Sequence, residues 1–84
     1  MTKVRARIFR ENKGEETVDL TVEEEGGLIF FMKRGILVES YRKDDLVALV
    51  KRQFEEGERD TLVSKAGTKE QVFLNTNQLY AILR

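Results

Sequence analysis

The chain has 84 residues, with Lys and Arg balancing Asp and Glu at 15 each, and it contains no histidine, cysteine, proline or tryptophan. Without His or Cys it lacks the commonest general base, the thiolate nucleophile and the usual zinc ligands, so most covalent and soft-metal chemistry is excluded and no cofactor or metal is expected. A formal net charge of zero gives no bulk attraction to nucleic acid or to an anionic membrane.

A single domain of this size buries only about 60% of the surface its unfolded chain exposes, so its stability margin is thin. No disulfide or zinc staple is available, which leaves a well-packed core or burial against another subunit. There is no apolar run long enough to span a bilayer. Lys3, Arg5 and Arg7 are not followed by the apolar stretch of a signal peptide. The expectation is a cytoplasmic protein with no membrane partner.

Val4, Ala6 and Ile8 alternate with Lys3, Arg5 and Arg7, and Val18, Leu20 and Val22 alternate with Asp19, Thr21 and Glu23. Both segments read as half-buried strands of a hairpin over 3–24. Folding about Lys13 sets Val4 against Val22, Ala6 against Leu20 and Ile8 against Val18, with Lys3 against Glu23 and Arg10 against Glu16. Gly26-Gly27 then permits a sharp bend; no Gly-Lys-Ser/Thr follows, so it is not a phosphate loop.

A second hairpin is expected at 28–33 and 36–41, turning at Arg34-Gly35. Its first strand holds Leu28, Ile29, Phe30, Phe31 and Met32, five large apolar residues in a row. A strand with one wet face alternates, so this run reads as covered on both faces. A small sheet does not cover both faces easily, and these five residues are the candidate interface with a second subunit, most simply in a two-fold dimer.

Segment 44–56 has two readings. As a helix it puts Leu46, Val47, Leu49, Val50 and Phe54 on one arc, with Asp44 at the start and Gly57 just past the end. As a strand it runs through Leu46–Phe54 and turns back into 61–66. A third hairpin is expected at 61–66 and 69–74 around Gly67-Thr68, pairing Val63 with Val72, Leu62 with Phe73 and Lys65 with Glu70. The last apolar stretch, 79–83, follows the polar turn 75–77. Residues 35–51 and 67–84 share an order of glycine, apolar strand, polar turn and Leu-x-Ala-(Leu/Ile)-x-(Lys/Arg). If this is a repeat, both ends adopt one structure. An isolated eight-residue helix is marginal, which tips the expectation for both towards strand.

The cations Lys3, Arg5, Arg7 and Arg10 suggest a phosphate-tracking stripe, but carboxylates across the hairpin neutralise most of them. Glu23-Glu24-Glu25 lacks calcium-loop spacing, and alternate residues of a strand point to opposite faces. Asp44-Asp45 suits a turn or a helix start better than a catalytic pair. Tyr41 and Tyr80 suit a core rim better than base stacking.

The stretch Val38-Glu39-Ser40-Tyr41…Leu46-Val47-Ala48-Leu49-Val50-Lys51, with Gln71-Val72-Phe73-Leu74…Ala81-Ile82-Leu83, resembles the core of Sm-like RNA-binding barrels. The resemblance covers the C-terminal half and implies a strand-built barrel there. A strand pair replaces that family's starting helix, and no base-binding motif matches, so no functional residue is carried over.

The expected fold is therefore mainly β, a small antiparallel barrel or two-layer meander of hairpins over 1–84, with α+β as the alternative if 44–56 is helical. The expected function is a non-enzymatic protein-binding or assembly module acting through a sheet face or strand edge. The alternative is an RNA- or DNA-binding barrel using Arg5, Arg7, Arg10, Lys33, Arg34 and Tyr41, and an enzyme working through carboxylates alone ranks last.

Overall fold

The first hairpin forms as its alternation dictates, but its turn sets a different register. The computed structural model describes residues 2–84. Strands β1 (Thr2–Arg10) and β2 (Gly14–Glu25) pair antiparallel, with Val4 opposite Leu20 and Ala6 opposite Val18. The turn is centred on Asn12 rather than Lys13. The Lys13 N–H donates to the Arg10 carbonyl at 3.1 Å, and Asn12 has φ 66°, a conformation that Asn tolerates at the third turn position. Moving the centre by one residue slides the partner strand by two, which leaves every side chain on its own face. The apolar pattern therefore fits both registers, and the turn decides between them.

Strand β3 (Leu28–Lys33) follows Gly26-Gly27, and β4 (Ile36–Arg42) follows Arg34-Gly35 as expected. Both central residues of each turn have positive φ, 59° and 79° in the first and 51° and 81° in the second. This is the primed geometry whose twist matches that of the flanking strands. The register shifts between Phe31, opposite Glu39, and Met32, opposite Leu37. Val38 is thus an extra residue, a bulge on β4.

Residues 44–56 are not a strand. Residues 44–55 lie in helix α1 (Lys43–Glu55) with Glu56 at its C-cap, and 79–83 lie in helix α2 (Thr76–Leu83). The helical arc prevails in α1 because Leu46 and Val50, one turn apart, are both fully buried, each contributing roughly 1.5–3 kcal/mol. Asp44 does not cap the helix. Arg42 stands at the N-cap, Asp44 and Asp45 occupy the first turn, and the Lys43 N–H donates to the Gly27 carbonyl at 2.8 Å. Beyond the C-terminus, Gly57 N–H bonds the Phe54 carbonyl and Glu58 N–H the Gln53 carbonyl, the reciprocal pair of a Schellman motif. The short α2 is held from outside. Asn75 Oδ1 accepts from Gln78 N–H, Leu79 and Leu83 are buried, and Tyr80 stacks on Phe54 with centroids 4.5 Å apart. Both 35–51 and 67–84 do run strand then helix, so the two segments share one order of elements.

Strand β5 (Asp60–Leu62) is short, and β6 (Glu70–Asn75) pairs with it in the expected register, Leu62 opposite Phe73. The Val63 N–H still bonds the Val72 carbonyl at 2.8 Å. Residues 64–69 then leave the ladder, and Lys65 and Glu70 do not pair as strand residues.

All six strands form one antiparallel sheet in the order β4-β3-β2-β1-β6-β5. The fold is mainly β, a curled half-barrel with two short helices. The barrel is not closed by backbone pairing, and the helices at 43–55 and 76–83 replace the strands that the Sm-like resemblance implied. The helices pack on the inner face over Val4, Ala6, Leu20, Ile29, Phe31 and Val72. Thr61 and Thr76 are buried beside them and share a hydrogen bond of 2.8 Å.

Candidate functional site

The run Leu28–Met32 divides between the two faces of the sheet. Ile29 and Phe31 point inward and are sealed in the core, at 1% and 0% exposure. Leu28, Phe30 and Met32 point to the outer face, opposite the helices. Strand pairing sets three rows there: Glu25–Leu28–Arg42, Glu23–Phe30–Ser40 and Thr21–Met32–Leu37. Leu28 and Leu37 are 40% and 52% exposed, whereas Ile36, 71% exposed, stands opposite Lys33 and belongs to the other face. The result is an apolar stripe along β3 that spreads onto the edge strand β4. Carboxylates on β2 flank it on one side and Arg42 on the other.

A charged cluster occupies the open end of the inner face. Arg10 Nε donates to Glu70, and its Nη1 donates to Glu16 at 2.8 Å. Lys33 Nζ lies 3.8 Å from the other Glu16 oxygen. The Arg10 hydrogen bond and the charge of Lys33 hold the Glu16 carboxyl below its ordinary range. The bonds that Arg10 donates to Glu16 and Glu70 raise its own pKa. A cleft of about 340 Å³ beside the cluster is lined by Ile8, Arg34, Leu37 and Val38 as well as Arg10 and Lys33.

Arg5 and Arg7 lie on the outer face, far along the sheet from Leu28. Arg7 reaches Glu15 at 3.3 Å and Asp60 at 2.8 Å, and its guanidinium carbon sits 5.8 Å from the ring centres of both Phe9 and Phe73. Arg5 lies 3.9 Å from Asp19.

The six residues of the nucleic-acid reading are not brought together. Arg5 and Arg7 are on the outer face, Arg10 and Lys33 are on the inner face, and Arg34 is in a hairpin turn. Tyr41 is half-buried in β4 with its hydroxyl bonded to the Val63 carbonyl. Burial, and then the nearby Glu39 charge, raise the Tyr41 pKa. Arg10 leaves the stripe by parity alone: residues 3, 5 and 7 share a face, and residue 10 falls on the other. Leu37 and Arg42, which join the outer face beside β3, were not among the expected interface residues. Leu37 comes beside Met32 only through the bulge, which no residue type announced.

Among the described residues, no group of His, Cys, Asp or Glu is disposed to hold a metal ion, and no helix is long and apolar enough to cross a membrane. Comparison with protein-family models, with curated proteins and with solved structures finds no match to this chain.

Proposed function

We propose that this chain is a protein-binding or assembly module acting through the outer face of β3 and β4. The observation that carries this reading is the stripe of Leu28, Phe30 and Met32 with Leu37 beside it, two of them 40% and 52% exposed on a sheet face opposite the helices. Contiguous apolar surface of this kind, rimmed by charge, marks interaction sites on small proteins.

The free edge of β4 is the weaker surface. It carries a bulge at Val38, and its Glu39–Tyr41 half is fastened to residues 63–65 by side-chain hydrogen bonds. Bulged, bridged edges resist strand addition. The face therefore has the better claim, with a homo-oligomer as the simplest product.

Light scattering coupled to gel filtration across a dilution series tests this, comparing the natural chain with Leu37→Ser. Self-association through the face predicts a mass that rises with concentration and falls back towards 9.8 kDa in the variant. A single mass near that value at every concentration overturns it.

A further inference from the structure

We infer that the outer face of β3 binds a second copy of this chain about a two-fold axis parallel to the strand, so that Glu25 of each copy meets Arg42 of the other. This rests on the assembly reading above and adds the identity of the partner and the geometry of the contact.

The charges about the stripe are arranged to match a second copy of the same face. Glu25, Leu28 and Arg42 stand in one row, acid on one flank and base on the other at the same level. A two-fold axis along the middle strand exchanges the flanks while keeping the level. It lays β2 of one copy over β4 of the other, so that Glu25 faces Arg42 and, one row along, Glu23 faces Ser40. A two-fold interface requires this self-complementarity, and a patch made for an unrelated partner does not.

An axis running across the strands fails the same test. Centred on the Phe30 row, it would set Glu25 over Thr21 and Arg42 over Leu37, leaving both charges unmatched. The strand-parallel axis also gives aligned sheet packing, which twisted sheets accept at about 30°. Stacked sheets lie about 10 Å apart, a gap that a Glu and an Arg reaching towards each other span.

The residues involved are available. Glu25 and Arg42 are exposed, and among the described residues neither takes part in an ion pair. Their neighbours differ in this respect, since Glu24 is held by Lys43 at 3.0 Å. The inner neighbours Ile29 and Phe31 belong to the core, so the contact draws only on side chains with no other structural task.

Sedimentation equilibrium on charge-reversed variants tests the geometry. Glu25→Arg and Arg42→Glu each place like charges opposite each other and are expected to weaken self-association about tenfold or more. Mixing the two single variants creates two opposite-charge pairs and is expected to restore association, a rescue that a folding defect would not give. If the natural chain associates and neither reversal weakens it, or the mixture stays apart, this placement is wrong while the assembly reading stands. If the natural chain is a monomer throughout, this inference and the assembly reading fall together.

Discussion

The Tyr41 hydroxyl donates to the Val63 carbonyl, fastening the edge strand β4 to the chain just beyond β5 at the opposite edge of the sheet. Close by, Glu39 Oε1 accepts from the Lys65 N–H at 2.9 Å. Side chains thus bridge a seam that a closed barrel would bridge with a ladder. Replacing Tyr41 with Phe removes the donor and keeps the ring that meets Phe31 edge-on. The expected loss is about 1 kcal/mol, a fall of roughly 4–8 °C in the midpoint of a thermal melt. An unchanged midpoint would mean that the seam bond contributes nothing.

Tyr41 also gives an alkaline signature. Its folded pKa is raised above the ordinary value of 10.0, first by burial and then by Glu39. The folded state therefore holds this proton more tightly than the unfolded chain does. That contribution is fully present below the unfolded pKa and is lost as pH rises through the folded one. Denaturant titrations above pH 10 should show the natural chain losing stability faster than Tyr41→Phe, with the two curves converging.

The eight-residue α2 depends on its cap. Asn75 Oδ1 accepts from Gln78 N–H at 2.9 Å, and Asn75→Ala should cost about 1 kcal/mol in chemical denaturation, with Asn75→Asp or Asn75→Ser recovering most of it. Equal losses in all three variants would assign Asn75 a role other than capping.

Arg34 holds φ 51° at the first central position of its turn, with Gly35 behind it at 81°. The left-handed region costs an ordinary residue about 1–2 kcal/mol and Asn less, and Asn-Gly is the favoured pair in this turn. Arg34→Asn should therefore stabilise the chain by roughly 0.5–1 kcal/mol, read as a higher midpoint in urea.

Glu16 sets part of the acid limb. Its folded pKa is lowered, first by the hydrogen bond from Arg10 and then by Lys33. Its contribution is present above the unfolded value of 4.5 and is lost as pH falls through the folded pKa. Glu16→Gln should be less stable than the natural chain at neutral pH, with the gap closing as pH falls below 4.5 in acid titrations.

The first hairpin was legible because its apolar period is strict, and the Arg34-Gly35 turn was legible from its glycine. The exact pairing of Val4 was not, since two registers two residues apart satisfy the same pattern and only the backbone of Asn12 separates them. The helices were harder. Leu46 and Val50 lie a turn apart and Gly57 follows, yet the likeness of 35–51 to 67–84 pulled both ends towards strand. Propensity alone makes α2 marginal, and the support comes from Asn75 and from Tyr80 stacked on Phe54, contacts that form only in the folded chain. For the candidate surface, the run Leu28–Met32 forms β3 as expected, but two of its five residues, Ile29 and Phe31, fill the core. Leu37 became its neighbour through a bulge that local sequence does not encode.

The outer face of β3 and β4 is proposed as a contact between molecules. Calorimetry at two protein concentrations about a hundredfold apart tests it most directly, because association with a like copy stabilises the folded state by mass action. Association through this face gives a higher unfolding midpoint in the concentrated sample and no such rise for Leu37→Ser. Identical midpoints for the natural chain at both concentrations would contradict it.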